Sequence, residues 1–259
     1  MNELGFGINA STINVSTISI PDLPDPEDDG RILTFSKMGY ATVGIDDITK
    51  QFVSFAKESK RPVLDGGAAF GAATIAALKT GATVIANDVD LIQLLYILKL
   101  NNLTQEEKKR LYFQSGALPY NVNFPLQSLS AIHLCRFMHF FTPEMIENMF
   151  SQAYNWLEPN GKFFLTTMSP FHHSVPGFAK TYEEKQQNGA DWPGIITTFT
   201  EEFGEEHKGK SPSYLHTLDT CVLSRVAEKS KFAVETMLLF GGPEGKDYVG
   251  AVFVKQIPS

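Results

Sequence analysis

The sequence predicts an α/β fold: one doubly wound, mostly parallel seven-stranded sheet whose last strand runs antiparallel, with a helical cap insertion. Three observations carry this. Short apolar runs alternate with helical periods from residue 62 to 167, joined by short connections, as in sheets covered by helices on both faces. The segments 232–240 and 248–255 read as two strands joined by Gly241-Gly242-Pro243-Glu244-Gly245. A link that short cannot be a parallel crossover, so this pair is antiparallel. Finally, Val63-Leu64-Asp65-Gly66-Gly67-Ala68-Ala69-Phe70-Gly71 reads as strand, glycine turn and helix start, answered by Val84-Ile85-Ala86-Asn87-Asp88. An acidic residue closing the second strand beside a glycine turn is how an open α/β sheet grips a ribose diol.

Each element follows in order. Residues 1–30 are polar at first and then carry Pro21-Asp22-Leu23-Pro24-Asp25-Pro26, which opposes regular structure. They are expected to form a flexible arm, disordered or strapped over the surface. A helix begins near Asp46, with Ile48, Phe52, Phe55 and Ala56 on one face. It belongs to an expected helical lid over 31–61, and the main domain is placed at 62–259. Strands are expected over 62–65, 82–87, 111–115, 129–135 and 162–167. A helix over 71–79 stops at Gly81, a left-handed cap position. The helix over 91–100 is apolar nearly all round, as a helix wedged against a sheet should be. Thr104-Gln105-Glu106-Glu107 is a capping box. Thr142-Pro143-Glu144 opens a helix with Thr as cap and Pro at its first position.

The composition bounds the function. With 259 residues, 43% hydrophobic and 20% charged, the chain has the make-up of an ordinary globular protein with a full core. A net charge of −7 and no Lys/Arg-rich run argue against nucleic acid. Cys135 and Cys221 stand far apart, so neither a disulfide framework nor a zinc site is indicated. The chain shows no signal peptide and no membrane span, and a cytoplasmic setting is expected.

The glycine spacing selects among nucleoside ligands. G-x-G-x-x-G fails because Ala69 or Ala68 takes the second glycine's place, and no triphosphate loop is present. The run Val63-Leu64-Asp65-x-Gly67-x-x-x-Gly71 resembles the first motif of class I S-adenosylmethionine-dependent methyltransferases. Asp88, Phe137-Met138-His139-Phe140-Phe141-Thr142-Pro143-Glu144 and Leu157-Glu158-Pro159-Asn160-Gly161-Lys162 match later motifs, and the resemblance covers roughly 62–168 and 215–256. Gly116-Ala117 stands where many relatives carry Gly-Asp, Ser130 where strand four usually opens with Asp, and Asn160 replaces a turn glycine.

The resemblance implies S-adenosyl-L-methionine as cofactor and methyl transfer by in-line displacement to a small-molecule or protein acceptor. Binding is expected from Asp65, Gly66, Gly67, Ala68, Gly71, Asp88 and Val89 around the turn. Ala117, with Leu118, is expected at the adenine, Cys135 with Arg136 at the end of strand four, and Tyr40 in a closing lid. A catalytic residue cannot be assigned, because a sulfonium methyl is already activated and alignment does most of the work. His139 is read chiefly as packing. His172-His173 invites a metal, but with no nearby carboxylate or Cys at ligand spacing it reads as a solvated pair, and no metal is expected. The insertion over about 169–214 carries Phe171, Phe178, Tyr182, Trp192 and Phe199, either a lid lining an acceptor pocket or a cap with its own minor core. The acidic pairs at 201–202 and 205–206 read as a solvated face. A non-catalytic binding protein, or an aminopropyl transferase on the same sheet, remain as alternatives.

Overall fold

Alternation decides how the central strands sit. Val63, Ala131, Phe164 and Val252 belong to one buried cluster, while their chain neighbours Leu64, Ile132, Phe163 and Phe253 belong to another. Successive side chains point to opposite faces of a strand, so a sheet with both faces apolar must be covered twice. The computed structural model of the chain, which describes residues 5–28, 30–37, 39–42, 44–199 and 213–256, shows this two-sided core.

The elements in chain order are β1 (Ile8–Asn9), β2 (Ile32–Leu33), β3 (Tyr40–Ala41), α1 (Asp47–Glu58), β4 (Val63–Gly66) and α2 (Ala72–Lys79). Next come β5 (Val84–Asp88), α3 (Leu91–Leu100), α4 (Gln105–Lys109), β6 (Leu111–Ser115), β7 (Leu129–Cys135) and α5 (Pro143–Trp156). The chain continues with β8 (Leu157–Met168), α6 (Phe178–Gln187), β9 (Ile195–Ile196) and β10 (Leu215–His216). It ends with α7 (Thr220–Lys229), β11 (Phe232–Phe240) and β12 (Tyr248–Lys255). The main sheet runs β1-β6-β5-β4-β7-β8-β12-β11. β4 to β8 pair in parallel, β12 lies antiparallel between β8 and β11, and the expected doubly wound arrangement is present.

The sheet has eight strands rather than the seven expected. The extra one is β1, which pairs antiparallel with β6 through Ile8 opposite Phe113. Two residues give no readable period, so the sequence could not announce it. Of the two alternatives for the arm, its described residues form the strap. Phe6 and Ala10 are buried, and the Tyr96 hydroxyl donates to the Pro21 carbonyl. β8 also starts earlier than expected, because Asn160 adopts a left-handed φ of 64° that lets pairing resume beyond the turn. Asn tolerates that conformation better than most residues.

Helix ends follow their caps. Asp46 accepts from Thr49 N–H at the start of α1, Thr142 from Met145 N–H at α5, and Thr104 and Glu107 form the reciprocal box at α4. α1 buries Ile48, Phe52 and Ala56 beside α2 on the sheet, and the short β2–β3 hairpin precedes it. The insertion holds α6 and the β9–β10 hairpin around Met168, Val175, Phe178, Tyr182, Ile196, Phe199 and Leu215, a third small core. The cap thus has its own minor core, and of its aromatic residues Phe199 also faces the cavity described next. The acidic pairs at 201–202 and 205–206 lie outside the described residues.

Candidate functional site

The chain runs from β4 outward through β5 to β6, then crosses to β7 on β4's other side. Such a switch point leaves a crevice beyond the strands' carboxyl ends. A cavity of about 1040 Å³ opens there, walled by Asp65, Gly67, Ala68, Gly71, Asp88, Val89, Cys135 and Tyr40 among others. Gly66 and Ala117 do not reach it. A Cβ on Gly66 would meet Leu134 and Leu118 at 2.5 and 2.7 Å, so this glycine makes room for core side chains. Leu118 is itself buried in that core rather than presented to the cavity.

The turn's glycines answer to packing as well as to any ligand. Gly67 and Gly71 sit at φ of 67° and 83°, and a Cβ would strike Phe137 at 2.9 Å and Ile97 at 2.6 Å. Only glycine fits either place without strain. Their backbone lines the cavity because no side chain stands in front of it.

Asp88 closes β5 with only 7% of its surface exposed. One carboxyl oxygen accepts from Ala69 N–H (3.0 Å) and Gln93 Nε2 (3.1 Å), the other from Asp90 N–H (3.2 Å). Burial pushes its pKa up, against those three donors. Two oxygens offer about four lone-pair sites, so room remains for a further donor. Gln93 also holds the hairpin region, because its Oε1 accepts from Phe35 N–H at 2.9 Å. Phe35 then packs against Phe70 (5.7 Å) and Tyr96 (5.3 Å), so this segment is clamped over the Asp88 side of the cavity. Tyr40 lines the same space, with the Arg31 guanidinium 4.7 Å above its ring.

Beneath the site runs a buried polar chain that no sequence motif announces. Asp65 accepts from Thr74 Oγ1 (2.6 Å) and faces His133 Nδ1 (2.8 Å). The other ring nitrogen meets Thr49 Oγ1 at 3.0 Å, and that hydroxyl donates to Asp46 at 2.8 Å. Phe52 stacks on the His133 ring at 4.7 Å. Burial alone would push His133 down, but the hydrogen bond to Asp65 and its charge prevail and raise it to about 10. The imidazolium donates from both nitrogens, which fixes every bond direction along the chain. Asp46 is held low despite its burial by the Thr49 donors and by Arg136 and His133. One signal was available in the sequence: a His inside the apolar run of β7 needs a buried partner.

Arg136 follows β7 in a left-handed conformation, φ 55°, and stacks 4.6 Å over Tyr248. Its Nε is buried without a hydrogen-bond partner while the residue lines the cavity. Cys135 points its thiol at Asp46 (3.5 Å). His139 is packed against Phe140, as the sequence implies, and burial pushes it down to about 3.

His172 and His173 are not a solvated pair. Asp247, some seventy residues away in sequence, reaches them: His173 Nδ1 lies 2.5 Å and His172 Nε2 3.9 Å from its carboxylate. The side chain of His173 stays 63% exposed, whereas His172 is largely buried and pushed down to about 4 by that burial. A carboxylate arriving from another strand leaves no local spacing to read.

No protein-family model matches the sequence, and no curated protein matches it. Solved structures do. A protein described as a SAM-dependent methyltransferase from Methanosarcina mazei superposes at TM-score 0.60 and 13% identity, over 80% of this chain and 98% of that one. The Burkholderia thailandensis 1,6-didemethyltoxoflavin-N1-methyltransferase, bound to 1,6-didemethyltoxoflavin and S-adenosylhomocysteine, matches at 0.57 and 14%, over 82% and 79%. A glycopeptide N-methyltransferase complexed with S-adenosyl-L-homocysteine matches at 0.53 and 16%, over 80% and 87%. At these identities the likeness speaks for architecture, and the chain has the Rossmann-like fold of S-adenosylmethionine-dependent methyltransferases.

Proposed function

We propose that the protein is a methyltransferase that binds S-adenosyl-L-methionine in the 1040 Å³ cavity. One observation carries this: a buried carboxylate, Asp88, faces that cavity at the end of β5 with accepting capacity to spare. Burial makes the ionised form costly, and diol hydroxyls supply the donors that favour it. When bound, the cofactor supplies a sulfonium methyl that leaves readily.

Gly67, Ala68 and Gly71 offer backbone to the ligand, while Val89, Cys135 and Tyr40 form its walls. Gly66 and Ala117 act from behind, by shaping the turn and the loop after β6. Asp65, joined to His133 and Thr74, holds the turn rather than the reaction. The orphaned Nε of Arg136 suits an anionic group, such as the amino-acid tail of the cofactor. The clamped hairpin serves as lid, the described residues of the insertion as cap over the acceptor end, and the described residues of the arm as strap. A small-molecule acceptor in a cytoplasmic setting fits the size of the cavity and the charge of −7. No helix among the described residues is long and apolar enough to cross a membrane.

Thermal unfolding with S-adenosylhomocysteine tests this reading. Ligand at 100 times its dissociation constant should add about 2.7 kcal/mol to stability. An unchanged Tm at millimolar ligand would remove the proposal.

A further inference from the structure

His172, His173, Tyr248, Phe140 and Phe199 also line the cavity. Asp247 is buried beside them, and its carboxylate receives His173 twice. The backbone N–H donates to Oδ1 at 3.1 Å, and Nδ1 lies 2.5 Å from Oδ2. Gly242 makes the space for it: at φ 69°, a Cβ on that glycine would fall 2.1 Å from the Asp247 carboxyl group. The tight loop joining β11 to β12 is thus shaped around this carboxylate, beyond what a strand reversal requires.

Tautomers decide what the cluster can do. An ionised Asp247 only accepts, so the proton sits on His173 Nδ1 and the lone pair remains on Nε2, on an exposed ring. His172 differs. Ser174 N–H donates to its Nδ1 at 3.1 Å, so this neutral ring carries its proton on Nε2, the atom facing Asp247. A metal held by both histidines and Asp247 would need that nitrogen bare. His172, His173 and Asp247 bring their ligand atoms within 4.8 Å of one another, but these tautomers suit a base with an orienting carboxylate better than a metal clamp.

We propose that His173 is the general base of the methyltransferase reaction, that Asp247 positions it, and that the acceptor is an aromatic hydroxyl. The proposal rests on the methyltransferase reading above. As the acceptor oxygen attacks the sulfonium methyl, its O–H bond breaks and the proton passes to His173 Nε2. The new C–O bond forms with the oxygen's electron pair, and the C–S bond breaks with its pair returning to a now neutral sulfur. The imidazolium, stabilised by Asp247, then loses its proton to water across its exposed face. The rings of Phe140, Phe199 and Tyr248 suit a flat acceptor.

Calorimetry with S-adenosylhomocysteine comes first, and absence of binding there would sink the methyltransferase reading itself, whatever His173 does. With binding established, the full chain is given methyl-labelled S-adenosylmethionine and phenol, catechol, 3-hydroxybenzoate or 4-hydroxybenzoate. O-methylated product from at least one is expected; none from any overturns the proposal. On that acceptor, His173→Gln should lower kcat by about 10²–10⁴-fold with KM and S-adenosylhomocysteine affinity nearly unchanged. A loss below about threefold overturns it. Added imidazole should restore part of the rate to His173→Gly, a rescue that a purely structural role would not give. Asp247→Asn should lower kcat at constant KM. Inhibition by a chelator would overturn the tautomer argument and make the cluster a metal site.

Discussion

At the scale of single residues, Asp88 and His133 carry opposite electrostatic burdens. Asp88 is raised by burial, so the free protein is relieved when this group protonates and strained as pH rises through the carboxylate range. Ligand hydroxyls favour the ionised form, so S-adenosylhomocysteine affinity should fall as pH drops through that range, as calorimetry at several pH values would show. Asp88→Ala should weaken binding about tenfold or more, since each hydrogen bond to a charged group contributes about 1.5–3 kcal/mol. Unchanged affinity in the folded variant would contradict that role. The fold favours the charged form of His133, unlike that of Asp88, yet stability again falls as pH rises. Its folded pKa near 10 exceeds the usual 6.5, so its contribution is complete below pH 6.5 and vanishes as pH climbs through about 10. His133→Ala strands Asp65 in the core and should cost about 3–5 kcal/mol in urea unfolding. Asp88 was legible because it ends an apolar strand at a fixed place after a glycine turn. The partners of His133 were not, because Asp46, Thr49 and Asp65 come from separate elements.

At the scale of elements, what the sequence shows depends on length and on caps. Helices with Thr104 or Thr142 at their start, and strands of four or more apolar residues, stand where their periods place them. β1, β2, β3, β9 and β10 have two residues each and no period to detect, so tertiary contacts alone define them. Gln93 shows how such a piece is held: one amide joins α3 to Asp88 and to the backbone before β3. Gln93→Leu removes both bonds at once. We expect a loss of about 1–3 kcal/mol, faster proteolytic nicking between residues 31 and 42, and weaker S-adenosylhomocysteine binding. Equal nicking rates in the variant and the parent would show that the hairpin is held by its aromatic contacts alone.

At the scale of the whole molecule, strand direction was readable because connection length constrains it: the short link makes β11 and β12 antiparallel, and longer crossovers, most of them helical, make β4 to β8 parallel. The cluster of His172, His173 and Asp247 was less so. His172 and His173 announce themselves as a pair, but their carboxylate arrives from the far margin of the sheet, after the insertion and two further elements. The strap has a consequence for solubility. By zipping Ile8–Asn9 onto β6, it caps a row of main-chain donors and acceptors that would otherwise be available to another copy. A chain begun at residue 31 should therefore self-associate, visibly in light scattering, even while its central strands stay correctly wound.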